Sequence, residues 1–85
     1  MYQEPLNESL RVIAYFSSGK ILPATLFIKN RPVNIKRVVF YSKKRVGQVE
    51  VVTFSLASET AVYEVEFNKD TSQWTLKNVF VGEEG

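Results

Sequence analysis

Short runs of β-branched and aromatic residues, each ended by a few turn-forming residues, occupy most of this 85-residue chain. Such side chains are stiff at χ1 and pack well on a pleated surface, so they favour strands over helices. Residues 48–67 are richest in β-branched side chains and leave no segment where a helix can be placed. Short strands and turns in regular succession predict an antiparallel all-β domain.

Six runs can be separated: residues 11–16, 21–29, 33–41, 48–56, 61–67 and 74–81. Gly19 lies between the first two and can take the positive φ of a tight hairpin. Pro23 cannot donate a ladder hydrogen bond, which predicts an edge or bulged position. The third run follows a turn at 30–32. It changes its alternation after Ile35, which predicts a bulge or a bend where the sheet curls.

A sheet of about six strands in so short a chain must curl to cover its apolar face. We therefore expect one antiparallel meander over 11–81 that forms an SH3-like barrel or a strongly bent sheet. A five-stranded oligonucleotide-binding-type barrel is the alternative, although it usually includes a helix. Residues 1–10 are predicted to be a loosely ordered lead-in, and 82–85 a frayed acidic tail.

The last two runs also predict a register. Ala61, Tyr63, Val65 and Phe67 alternate with a mostly acidic set, so one face is apolar and the other is charged. A register that pairs apolar with apolar and acid with base satisfies both faces. The pairs it predicts are Phe67 with Trp74, Val65 with Leu76, and Glu64 with Lys77.

The residues that most enzymes use are missing. The chain has no His and no Cys. It therefore lacks the imidazole base of most general acid–base catalysis, the thiolate nucleophile and the usual ligands of zinc. Its four glycines fit no phosphate-binding loop. Glu64 and Glu66, two apart on one strand face, are the one carboxylate pair that suggests glycosidase-type chemistry. We interpret them as a solvated outer face, and predict a protein that is not an enzyme and binds no cofactor or metal.

Charge is distributed unevenly along the chain. Residues 9–49 contain nine Lys or Arg and no Asp or Glu, whereas acids dominate from Glu50 onward; the net charge of +2 conceals this polarity. A basic surface over the early strands suits a phosphate backbone or an acidic protein. The candidate contact residues are Lys29, Arg31, Lys36, Arg37, Lys43, Lys44 and Arg45.

Two simpler interpretations of this charge remain open. The acidic half of the chain can pack against the basic half, with Glu50 neutralising Lys36 or Arg37 across a ladder. Residues 43–45, the densest basic cluster, then form the solvated tip of a hairpin. Aromatic residues between the bases either belong to the core or stack on single-stranded nucleic acid.

An imperfectly closed sheet offers another kind of contact, since an open edge accepts a strand from a partner or a second copy. The sequence thus predicts a non-catalytic binding or accessory domain that contacts another protein or its own copy through a sheet edge or apolar patch. The alternative is a nucleic-acid-associated module that uses the basic surface of residues 11–45. Catalysis by Glu64 and Glu66 is a remote third hypothesis.

The absence of Cys fits a reducing compartment. No segment approaches the roughly 18 apolar residues that cross a bilayer, and the first ten residues lack the pattern of a signal peptide. We expect a cytoplasmic protein with no membrane partner.

Several segments resemble a family of small, uncharacterised bacterial all-β domains. These are 14–23 (a Gly, a basic residue, two further residues and Pro in a hairpin), the turn at 29–32, and the segments 54–56, 62–67 and 74–76, the last being Trp-Thr-Leu. Related domains occur alone or appended to proteins that resemble translesion DNA polymerases, which implies an association with nucleic acid. Many members carry a Trp/Arg-Gly-Arg turn where this chain has 29–32, so the resemblance implies no shared binding surface there.

Overall fold

A computed structural model describes the backbone of residues 2–82 and the side chains of residues 7–82. It is all-β, as predicted, and its strands pair only antiparallel. Seven strands form one curled, half-barrel sheet in the order β3-β2-β1-β7-β6-β5-β4. Their bounds are β1 Tyr2–Ser17, β2 Lys20–Ile28, β3 Arg31–Asn34, β4 Arg37–Val46, β5 Val49–Ala57, β6 Ala61–Asn68 and β7 Gln73–Val81.

Two segments change partners and thereby curl the sheet. The first part of β1, up to Leu10, pairs with β7, whereas the rest, from Arg11, pairs with β2. The second segment is the third predicted run, which the structure divides into β3 and β4 at the two ends of the strand order. The phase change after Ile35 therefore marks a bend rather than one continuous strand.

That bend joins the two ends of the sheet on one side of the molecule. The Ile35 N–H donates to the carbonyl of Ala24 in β2 at 2.9 Å, and the Lys36 N–H donates to the carbonyl of Ala57 in β5 at 2.7 Å. Two consecutive amides thus bond to opposite parts of the sheet, which holds the curl in place.

The core lies inside this curl. Leu26 of β2 is fully buried, and the other buried members of its cluster come from β5, β6 and β7. Burial of these apolar side chains is the main stabilising contribution in a chain that has no disulfide. The buried cluster consists of Leu26, Val52, Phe54, Leu56, Val65, Phe67, Trp74 and Leu76.

The tight turns adopt the left-handed backbone that hairpins need. Gly19 has φ +77 and its neighbour Ser18 has φ +52, as expected for a two-residue turn of the primed type. The next turn is Lys29-Asn30, also with two positive φ values. It begins one residue before the predicted turn at 30–32 and ends at Asn30, because Arg31 already pairs with Ile28. Pro23 lies beside a register shift in the β1–β2 ladder, in agreement with its predicted bulged position.

The predicted β6–β7 register is confirmed for Phe67 with Trp74 and for Val65 with Leu76. The third pair is wrong, because a register shift between Glu64 and Val65 places Glu64 opposite Asn78. A bulge inserts one residue and so moves every later pair by one position. Lys77 instead donates from Nζ to the side-chain oxygen of Asn7 at 2.7 Å.

The structure differs from the prediction of a loose lead-in at residues 1–10. Residues 2–10 belong to β1 and pair with β7 as far as Val81. Without them β7 would be a long exposed edge with unpaired amides, which is unfavourable. Pro5 and Asn7 concealed this strand in the sequence, and the ladder shifts register between Pro5 and Glu8. Of the predicted tail at 82–85, residues 83–85 lie outside the described residues.

Candidate functional site

Strand β4 is an edge of the sheet. It pairs with β5 on one side, and on its other side no strand within residues 2–82 covers it. Its large apolar side chains are between 39% and 59% exposed: Val38, Val39, Phe40, Tyr41 and Val46. Unpaired N–H and C=O groups next to exposed apolar side chains form a template for another strand.

The pleat of β4 separates its side chains onto two faces. A register shift between Val38 and Phe40 sets the alternation that follows. Tyr41 lies opposite the buried Phe54, with ring centroids 5.7 Å apart, so it faces the inside of the curl. Phe40 lies opposite Ser55 and faces the other way.

An apolar cavity of about 220 Å³ lies beside the inner face of β4. Val38 and Tyr41 line it from β4, Ile21 and Leu22 line it from the start of β2, and Phe54 lies between them. This part of β2 is open because β3 pairs only with Thr25–Ile28. The curl is therefore closed at Ile35 and Lys36 and open between the start of β2 and β4; we call this opening the cleft.

The basic cluster at residues 43–45 is part of β4. The predicted hairpin tip is wrong, because the turn is formed by Gly47 and Gln48, and Val46 already pairs with Val49. Gly47 has φ +64, which permits a turn this tight and lets the strand continue through the basic residues.

Strand alternation divides the cluster between the two faces of β4. Lys43 and Arg45 follow Tyr41 on its own face, whereas Lys44 lies on the face of Phe40. Lys20 lines the cleft from β2, and Lys43 and Arg45 continue the face of β4 that begins at Tyr41.

The other candidate cations lie along the path that leads to β4. Lys29 and Arg31 are at the β2–β3 turn, Lys36 is in the bend, and Arg37 begins β4; all four are exposed. Because β3 and β4 are opposite ends of the strand order, these residues do not gather at one hairpin. The seven candidates therefore form a row along the chain, from the β2–β3 turn through the bend to β4.

Carboxylates neutralise little of this row. Lys36 is 3.9 Å from the carboxylate of Glu59. The other six candidates form no ion pair with any residue that the structure describes. Glu50 does not neutralise Lys36 or Arg37, since its carboxylate is 3.5 Å from Lys69.

Glu64 and Glu66 share the outer face of β6 and are half-buried. Glu64 accepts a hydrogen bond of 2.7 Å from the side-chain amide of Asn78. Glu66 lies opposite Thr75 in the β6–β7 ladder. The hydrogen bond from Asn78 therefore joins the Glu64 carboxylate to β7.

A second exposed apolar area lies on β1 and β2. Ile13 and Tyr15 of β1 are exposed, and the guanidinium of Arg11 lies 5.0 Å from the centre of the Phe27 ring in β2. Phe16 is exposed too, although its ring is 6.3 Å from that of Phe67.

Sequence reasoning missed the cleft. Its walls come from two runs that are distant in the chain, and the alternation of either run alone does not indicate where the curl stays open. The available signal was the continuous apolar segment 38–41, which a strand with one solvated face does not need.

Within residues 2–82 the structure contains no helix that is long and apolar enough to cross a membrane. Comparison of the chain with protein-family models, with curated proteins and with solved structures found no match. The resemblance to small bacterial β-domains therefore stays a prediction.

Proposed function

We propose that this chain is a non-catalytic binding domain that takes up an extended protein segment along β4. One observation carries the proposal: β4 is a ten-residue strand with one side that no described strand covers, and it exposes large apolar side chains over much of its length. Lys side chains and a bulge limit the pairing of such an edge with itself, and an uncovered edge is a common site of strand addition by a partner.

The cleft supports a protein segment better than a free small molecule. Its cavity of about 220 Å³ is below the roughly 300–1,000 Å³ of typical small-molecule sites. A segment lying on β4 gains backbone hydrogen bonds from the edge and inserts single side chains into the cavity. The main-chain contacts provide affinity, and the cavity provides selectivity.

Selection from a random peptide library on the immobilised domain tests this proposal. Synthetic peptides from the selection are then added to ¹⁵N-labelled protein, and amide shifts are recorded. We expect the largest shifts at residues 37–46 and at 20–22. Failure to select any peptide, or shifts confined to other strands, would contradict strand addition at β4.

Nucleic-acid binding is a second candidate function. Six exposed cations without a carboxylate partner among the described residues favour it, and Tyr15 and Phe16 supply exposed rings. It predicts binding to a single-stranded 12-mer that weakens steeply as salt rises. A flat titration at low ionic strength would eliminate this candidate.

We further propose that the domain acts in the cytoplasm. The supporting observation is the complete lack of Cys, which fits a compartment where disulfides do not persist.

A further inference from the structure

We propose that the segment bound at β4 belongs to a different protein and is acidic, with one apolar side chain and two carboxylates at every second position. The apolar side chain enters the cavity beside Tyr41, and the carboxylates face Lys43 and Arg45. This inference rests on the binding function proposed above and specifies the chemistry of its partner.

The spacing of β4 defines this pattern. Tyr41, Lys43 and Arg45 are two residues apart on one face, which is about 6.6–6.8 Å per step along a strand. A strand paired with β4 has the same period, so its facing side chains meet these three in order. The partner pattern is apolar-x-acid-x-acid for a parallel strand and acid-x-acid-x-apolar for an antiparallel one.

The electrostatics of the cleft also favour an acidic strand. Lys43 and Arg45 are exposed and form no ion pair with a described residue, and Lys20 lies on the opposite wall. Glu50 lies opposite Arg45 in the β4–β5 ladder, but its carboxylate pairs with Lys69. Carboxylates that arrive on a partner strand therefore meet cations that are in no ion pair with a described residue. Opposite charges across a strand pair stabilise the pairing.

A second copy of this chain is a poor occupant for the same reason. Antiparallel pairing of two β4 strands centred between Phe40 and Tyr41 places Arg37 opposite Lys44 and Val38 opposite Lys43. Parallel pairing brings each cation close to its own counterpart. Like charges facing each other across strands are destabilising in these registers. Because β4 contains no Asp or Glu, a second copy supplies no carboxylate to the basic cluster in any register, which favours an acidic partner.

Four synthetic peptides test the inference. The first two peptides each contain one Leu and two Glu at alternate positions, with Thr between them. They differ in the order of these residues, one for each of the two patterns given above. The third and fourth are matched controls in the order that binds better, one with Gln for both Glu and one with Ser for Leu. We expect the Gln control to bind about threefold to tenfold more weakly, since exposed ion pairs are individually weak. The Ser control is expected to bind about tenfold more weakly, since it loses the burial of one Leu side chain. Fluorescence anisotropy at low ionic strength measures the affinities.

Variants of β4 provide matched controls on the protein. Lys43→Gln with Arg45→Gln is expected to abolish the preference for Glu over Gln, whereas Lys44→Gln on the other face is expected to leave it unchanged. Tyr41→Ser is expected to abolish the preference for Leu over Ser, whereas Phe40→Ser leaves it intact. All five positions are exposed, so the variants are expected to fold.

The possible results distinguish failure of this inference from failure of the proposed binding function. If Gln and Glu peptides bind equally well and shift the amides of 37–46, the acidic partner is wrong and strand addition stands. If neither these peptides nor those from the library selection shift β4, strand addition itself is wrong. A dimer in light scattering that forms through β4 would instead identify a second copy as the occupant. If none of the peptides binds, and an oligonucleotide binds tightly with equal dependence on Lys43, Lys44 and Arg45, the ligand of β4 is nucleic acid.

Discussion

Trp74 lies directly across the β6–β7 ladder from Phe67, and their ring centroids are 4.5 Å apart. Trp74 also lies 5.8 Å from the ring of Phe54 in β5, so one side chain joins three neighbouring strands. Aromatic pairs of this kind add stabilisation beyond the area that they bury. The inner surface of the curled sheet is therefore organised around Trp74.

Replacing Trp74 with Ala is expected to lower the free energy of unfolding by about 3–5 kcal/mol, because the side chain is only 8% exposed and leaves a cavity. Urea unfolding followed by circular dichroism measures the change. Phe40→Ala is the control, since Phe40 is exposed and its loss is expected to cost at most about 0.5 kcal/mol. Equal losses in the two variants would contradict the placement of the core.

Glu64→Ala is expected to destabilise the domain by about 1–2 kcal/mol, because it removes the acceptor of the 2.7 Å hydrogen bond from Asn78 in a half-buried position. Glu64→Gln keeps an acceptor oxygen and is expected to lose less than half as much. Thermal unfolding of both variants tests this. A Glu64→Ala variant as stable as the wild type would show that the bulged pairing of Glu64 with Asn78 is incorrect.

Two hairpin turns are expected to respond to substitution in opposite directions. Gly19→Ala forces a side chain into left-handed backbone and should cost about 1 kcal/mol, although no heavy atom lies within 4 Å of the new Cβ. Lys29→Asn places a residue that tolerates φ +52 at the first turn position and should gain about 0.5 kcal/mol. Urea midpoints that move in the same direction for both would contradict these turn geometries.

Neutralising the basic cluster of β4 is expected to cause self-association. The variant Lys43→Ser, Lys44→Ser, Arg45→Ser removes the like-charge repulsion that opposes pairing of two edges. Light scattering at increasing protein concentration should show dimers or larger species.

The control for that experiment changes net charge equally. Lys29→Ser, Lys36→Ser, Lys69→Ser also removes three positive charges from a net charge of +2, but at turns and at the bend. It is expected to stay monomeric. Equal association of both triple variants would attribute the effect to net charge and not to β4.

The sequence determined those features that depend on neighbouring residues. Alternation placed Val65 and Phe67 on the core face, and pairing them with Leu76 and Trp74 fixed most of the β6–β7 register, because a slip of one residue would expose every buried side chain. Gly19 and Pro23 marked a turn and a bulge through backbone chemistry that belongs to those residue types alone. The absence of His and Cys was likewise evident from the sequence.

Only the tertiary structure decided where the sheet closes and where it stays open. Residues 2–10 became strand because β7 needed a partner, and the bulge before Val65 moved Glu64 from Lys77 to Asn78. The turn at Gly47 placed residues 43–45 on β4 rather than on a hairpin tip. The cleft between Ile21 and Tyr41 joins two strands that are never neighbours in the ladder. Alternation along a strand specifies which side chains face inward, but curvature is the sum of twists and bulges over all strands, and no single segment contains it.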